Sequence, residues 1–327
     1  MDKIAKIRPL YIAKILFEMT DEDHLLSTTD IIKILKEKYG IDGYRISVAS
    51  DIELLIDFGM EIKTVKSSSN LYHLISREFD IPELKLLIDA VASSKFITEK
   101  KSKELVGKLG KLAGQYQSEK IKRNLVPEGR IRPNNEYIYY IVDAINDAIN
   151  SKKKISFQYY KYNVHKEKEP RHNGEIYIFS PYHLVWNGDY YYVIGYSEKH
   201  GEIGNFRVDR ICNRPDILDD DAFPTPDDFD LNRYINTNFR MYASESQTVE
   251  LICDNSVIDS LIDRFGEDID TEIIDENTFK ANVDISVNHI FYSWVFGFGG
   301  SVKINSPEEV KNGYYKMIDA EYNRKTK

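Results

Sequence analysis

Apolar residues recur at helical spacing from the start of the chain. Ile4, Ile7, Leu10, Tyr11, Ala13, Ile15, Leu16 and Phe17 predict an amphipathic helix over residues 4–19. After the charged turn Asp21-Glu22-Asp23, Thr28 or Thr29 is placed to cap a second helix. Its apolar face holds Ile31, Ile32, Ile34, Leu35 and Tyr39, and Gly40 ends it. Asp42-Gly43 makes a turn. A third helix then places Ile46, Ala49, Ile52, Leu55 and Ile56 on its apolar side, until Gly59 stops it. Two short strands, 60–65 and 71–74, flank the polar tip Lys66-Ser67-Ser68-Ser69-Asn70. Three helices and a hairpin, with a short turn between helices two and three, give the helix-turn-helix order.

Two lysine-rich helices are expected next, Ile81 to Phe96 with Pro82 in the first turn, and Thr98 to Gln117. Pro127 and Gly129 mark a linker over residues 123–130, and Asn135 is expected to cap a helix over 136–150. From residue 154 the period changes to two. Strands 154–162, 175–186, 190–197 and 204–211 follow, joined by Asn187-Gly188-Asp189 and Lys199-His200-Gly201. Short antiparallel strands at this spacing predict a small barrel. Beyond residue 245, strands near 247–253, 269–274, 278–285 and 301–305 alternate with helices near 256–265, 288–296 and 307–324. The expected architecture is α+β: a winged helix-turn-helix (1–75), a helical connector and linker (76–135), a small SH3/Sm-like β-barrel with its leading helix (136–222) and a C-terminal αβ module (245–327).

Composition narrows the function classes. In 327 residues, 42% are hydrophobic and 30% charged, the balance of a folded globular chain. No apolar run reaches the length of a membrane span, and the N-terminus carries no apolar signal segment, so a cytoplasmic chain with no membrane partner is expected. Cys212 and Cys253 are isolated, which fits a reducing compartment and leaves no zinc spacing. The net charge of −9 is unevenly spread: residues 1–75 are net −2, 76–135 net +5 and 136–327 net −12. The acid therefore lies in the C-terminal part, and the first 135 residues leave room for DNA contact. On the third helix, Arg45, Ser47 and Ser50 lie opposite the expected apolar stripe and can meet base edges and phosphates; Lys66 and Asn70 at the hairpin tip can follow the adjacent backbone. A plain three-helix bundle with a polar loop is the competing reading of the same pattern.

The stretch Arg45-Ile46-Ser47-Val48-Ala49-Ser50-Asp51-Ile52-Glu53-Leu54-Leu55 resembles the recognition helix of winged-helix regulators that carry a WYL domain. That family reads roughly R-x-T-V-x-R-D-I-x-x-L, followed by a glycine and an isoleucine that opens the wing. Ser50 stands where the family usually has arginine, which removes a phosphate contact. Ile155-x-Phe157-x-Tyr159, Pro181 to Val193, and Phe206-Arg207-Val208-Asp209-Arg210-Ile211 resemble the WYL domain itself, with Tyr191-Tyr192-Val193 at its name-giving tripeptide. Trp294, Phe298-Gly299-Gly300 and Pro307-Glu308-Glu309 resemble the family's C-terminal extension. The resemblance implies a DNA-binding transcriptional regulator, and not an enzyme, with a basic, aromatic effector site. Its candidates are Tyr159, His183, Tyr192, Arg207 and Arg210, and its partner an anionic nucleotide or short nucleic acid. Read from the residues alone, Arg207 and Arg210 are three apart in a strand. They point to opposite faces unless a bulge or bend intervenes, and either can instead pair with Asp209.

Double-stranded DNA, the anionic effector and a second copy of the chain in a homodimer are the expected partners; no cofactor and no metal is expected. Two alternatives carry other functions. One is a nucleic-acid-binding accessory protein without promoter control. The other is a metal-dependent enzyme using Asp219-Asp220-Asp221, against which Pro224 and Pro226 and the lack of a basic or nucleophilic partner favour a solvated loop.

Overall fold

A computed structural model describes residues 3–67, 69–123, 137–238, 241 and 246–324. The chain divides into two compact units, Met1–Glu136 and Tyr137–Lys327. The expected linker around Pro127 to Pro133 and the cap at Asn135 lie outside the described residues.

The first unit opens with α1 (Lys3–Met19), β1 (Leu26–Ser27), α2 (Thr28–Tyr39), α3 (Arg45–Asp57), β2 (Ile62–Lys66) and β3 (Asn70–Leu74). The strands form one antiparallel sheet in the order β1-β3-β2, with Leu26 opposite Tyr72 and Ile62 opposite Leu74. β1 is too short to leave a pattern in the sequence. The cap of α2 is Ser27, one residue before the expected threonines. Its hydroxyl accepts the Asp30 N–H at 3.2 Å, while the Asp30 carboxylate takes the Ser27 N–H at 2.9 Å. Gly40, at φ +66°, closes the helix in the left-handed region. Ile12, Ile15, Leu16, Ile31, Leu35, Val48, Ile52, Leu55, Ile62 and Leu74 make one core.

The inward face of α3 differs from the expected stripe. Val48, Asp51, Ile52 and Leu55 are buried, whereas Ile46 is 87% exposed. Aliphatic residues occupy so many positions of α3 that periodicity alone does not choose a face. What fixes it is tertiary: Asp51 points inward because Arg8 Nε of α1 meets its carboxylate at 2.5 Å.

Three connector helices follow: α4 (Ile81–Ser93), α5 (Glu99–Leu112) and α6 (Gln115–Arg123). Leu84, Ile88, Val106, Ala113 and Ile121 are their shared core. The expected helix to Gln117 is broken at Gly114, whose φ is +79°. A Cβ there would sit 2.8 Å from Arg77 Nη2 and 3.1 Å from the Phe17 carbonyl oxygen. Arg77 fills that corner, donating to the Thr20 carbonyl at 2.9 Å and lying over the Phe17 ring.

In the second unit, α7 (Ile138–Ser151) leads into β4 (Lys153–Gln158), a small hairpin of β5 (Tyr160–Tyr162) and β6 (Lys168–Pro170), then β7 (Ile176–Asn187), β8 (Tyr190–Ser197), β9 (Glu202–Arg207) and β10 (Asp216–Asp221). The main sheet runs β10-β4-β7-β8-β9, antiparallel throughout. Against the expected barrel, the sheet is open: β9 and β10 do not pair, and one isolated bridge, Tyr159 to Ile211, joins the chain beyond β4 to the chain beyond β9. The strand expected to reach residue 211 stops at Arg207, where Val208–Arg210 form a 3₁₀ turn. Asp219-Asp220-Asp221, read from sequence as a solvated loop, belong to edge strand β10. There Lys153 Nζ bonds the Asp221 carboxylate at 2.7 Å and the Asp219 carbonyl at 2.5 Å. No group of three His, Cys, Asp or Glu side chains among the described residues is placed to hold a metal ion.

A short helix, α8 (Leu231–Thr237), precedes β11 (Ser246–Asp254), α9 (Ile258–Phe265), β12 (Asp270–Ile273), β13 (Thr278–Ser286), α10 (His289–Phe296), β14 (Val302–Ser306) and α11 (Glu308–Arg324). The second sheet has the order β12-β13-β11-β14. Val249, Leu251, Ala281 and Val283 from its strands pack with Leu261, Phe291 and Val295 from its helices. Among the described residues, no helix is long and apolar enough to cross a membrane.

Candidate functional site

The 3₁₀ turn after β9 builds the main cleft of the second unit. By ending the strand at Arg207 it breaks the two-residue alternation, so Arg207 and Arg210 line one cleft of about 1110 Å³. This is the bend that the residue spacing left open. Two tyrosines from the β4–β5 segment hold the turn: the Arg207 N–H donates to the Tyr159 hydroxyl at 3.1 Å, and the Tyr160 hydroxyl donates to the Asp209 carbonyl at 2.9 Å. Burial pushes the Tyr159 hydroxyl up to about 12, over the opposing bond from Arg207 and the charge of Arg210, so it is a neutral structural group at ordinary pH.

The two arginines are not equivalent. Arg207 makes a bidentate pair with the buried Asp209 carboxylate, Nε to Oδ1 at 3.1 Å and Nη2 to Oδ2 at 2.8 Å, and lies 3.3 Å from the Tyr190 ring centroid. Burial works against its charged form, but the Asp209 carboxylate outweighs burial and holds the guanidinium above its ordinary value. Arg210 Nε is buried and has no hydrogen-bond partner among the described residues. Tyr192, directly across from Arg207 on β8, is buried with Val185, Ile194 and Met241, so its ring is wall and core together.

Four of the five effector candidates, Tyr159, Tyr192, Arg207 and Arg210, therefore meet in this cleft. His183 does not. It stacks on Phe229, ring centroids 6.0 Å apart, and lines a separate cavity of about 450 Å³ with Asp143 and Asn146 of α7. Sequence reasoning missed Tyr190, Asn205, Lys161 and Arg171 on the cleft wall. Tyr190 was within reach, since it lies two residues from Tyr192 and so on the same sheet face. Asn205 is tied by Nδ2 to the Tyr234 hydroxyl at 3.0 Å and the Met241 carbonyl at 2.9 Å, contacts that no local pattern announces.

In the first unit, Arg45 is exposed at the start of α3 and reaches Thr29 Oγ1 at 3.3 Å. The Ser47 hydroxyl turns back on its own helix, accepting the Tyr44 N–H at 3.1 Å and donating to the Tyr44 carbonyl at 2.9 Å. Ser50 is exposed on the outer face of α3, and Lys66 is exposed at the end of β2. Asn70 begins β3, its amide 3.4 Å from the Tyr72 hydroxyl. The structure thus sets Arg45, Ser50, Lys66 and Asn70 on the surface and gives Ser47 a capping task.

A family model for the WYL domain matches residues 140–214, from α7 to just beyond the 3₁₀ turn. No curated protein matches the sequence. Among solved structures, the chain is similar to proteasome accessory factor B/C (PafBC) of Arthrobacter aurescens at 15% identity and TM-score 0.30, over 96% of this chain and 48% of that one. It is also similar to a protein described as CRISPR Cas-related at 13% identity and TM-score 0.39, over 99% of this chain and 79% of that one. The chain spans about half the length of the PafBC protein. That model lies over the cleft-bearing sheet with the Phe206 to Ile211 segment inside it, so residues 140–214 of the chain match the WYL domain.

Proposed function

We propose that this chain is a DNA-binding transcriptional regulator whose WYL cleft binds an anionic, nucleotide-like effector. In the first unit, three helices, a three-stranded sheet and an exposed α3 support a winged helix-turn-helix in which α3 enters the major groove and the β2–β3 tip follows the backbone. In the second, the bridge from Tyr159 to Ile211 supports reading the open sheet as a relative of the small SH3/Sm-like barrel.

The observation that carries the effector reading is the unpartnered, buried Nε of Arg210. A buried donor left unmade costs about 1–3 kcal/mol, and an anion in the cleft removes that cost. Arg207, already matched by Asp209, supplies with Tyr190 a flat cationic surface for a base. Arg210 is then the anion contact and Arg207 the platform. Calorimetric titration of nucleotides and short single-stranded oligonucleotides tests this. Arg210→Gln is expected to weaken the binding anion at least tenfold, a charged hydrogen bond being worth about 1.5–3 kcal/mol. Unchanged affinity in Arg210→Gln overturns the assignment.

A further inference from the structure

The residues of α3 turned furthest from its buried side chains are Ile46, Ser50, Glu53 and Asp57. This outer stripe is graded. Its N-terminal half is an isoleucine 87% exposed and a serine; its C-terminal half is two exposed carboxylates. Tyr44, 80% exposed at the N-cap, and Arg45 flank Ile46. A β-branched alkyl group at the outermost point of a helix contributes nothing to the core of its own domain. In the major groove, the apolar group on a base edge is the C5 methyl of thymine. Carboxylates at 53 and 57 are repelled by phosphate, whereas Arg45 is attracted. The charge gradient therefore admits α3 by its N-terminal end, with Ile46 foremost and Glu53 and Asp57 held away from the backbone.

We infer that Ile46 is a base-reading residue that selects a thymine through its 5-methyl group, an inference that rests on the DNA-binding role of α3 proposed above. Specificity then comes from an apolar contact, in a helix that lacks the arginine its family usually places at position 50.

The test uses the full chain. A random-sequence duplex pool is first enriched on it. Each thymine of the winning duplex is then replaced in turn by uracil, which removes the methyl group and nothing else. One replacement is expected to weaken binding about fourfold, the worth of one buried carbon. Ile46→Ser is expected to bind the parental duplex several-fold more weakly and to treat thymine and uracil alike at that position, with its thermal midpoint unchanged. Neutral uracil replacements throughout, or undiminished discrimination in Ile46→Ser, overturn the assignment of Ile46 while leaving DNA binding in place. A chain that enriches no duplex overturns the DNA-binding role and this inference together.

Discussion

Asp209 decides what each cleft arginine can do. By holding Arg207 in a bidentate pair it spends that residue's charge inside the protein, whereas Arg210 Nε has no hydrogen-bond partner among the described residues. The motif Phe206-Arg207-Val208-Asp209-Arg210-Ile211 is legible as a signature in the sequence, but this division of labour is not, because it depends on a 3₁₀ turn that local spacing does not announce. Close approach imposes a second constraint at this scale. Gly195 of β8 lies opposite Pro181 on β7, and a Cβ there would lie 2.1 Å from the Ser180 carbonyl oxygen and 2.7 Å from Phe179 Cε1. Gly195→Ala is therefore expected to destabilise the second unit by about 3 kcal/mol through overpacking. The second unit's transition in a urea titration of the full chain checks it; an unmoved midpoint would show that the strands separate more easily than the geometry implies.

At the scale of elements, helices and strands with a clear period were legible, including α1, α2, the β7–β8 hairpin and the alternation of the C-terminal module. The orientation of α3 was not, since its aliphatics surround the helix and the buried Arg8–Asp51 pair sets its face. β1, β6 and α8 are too short to print a period. The packing of α6 against the segment after α1 also depends on one side chain. Asp21 is buried and accepts from the His24 ring at 2.7 Å, from the His24 and Asp23 N–H groups, and from Gln117 Nε2 at 3.0 Å. Burial alone would raise its pKa, but those bonds, His24 foremost, hold it below the ordinary carboxylate value. A depressed folded-state pKa contributes stability that is present above the unfolded value and lost as pH falls through the folded one. Asp21→Asn is accordingly expected to cost about 1–3 kcal/mol at pH 7, with the gap to the parent closing below about pH 4. Denaturant titrations of both proteins at pH 7 and pH 3 measure that gap, and a constant difference contradicts the assignment.

For the whole molecule, charge is unevenly divided between the two halves of the chain. Residues 136–327 carry net −12 and would be repelled by a phosphate backbone, while Lys161, Arg171, Arg207 and Arg210 of that half line one cleft. Regulation requires that an occupant of the cleft favour one of two states that differ in duplex affinity, a coupling of about 1–3 kcal/mol. On the proposed winged-helix reading a homodimer is expected, because one such domain buries little surface and paired half-sites multiply it. Light scattering should give twice the chain mass for the free protein and two chains plus one duplex for the complex, and one chain, free and per duplex, argues against it. The central claim, that α3 is the DNA-reading element, is tested most directly at Ser50, exposed on its outer stripe where the regulators that α3 resembles usually carry arginine. Anisotropy titrations of the selected duplex at about 0.1 M salt, where phosphate contacts still count, should show Ser50→Arg tighter than the parent and Ser50→Glu at least tenfold weaker, with all three proteins equally folded. Three coincident binding curves would contradict the account.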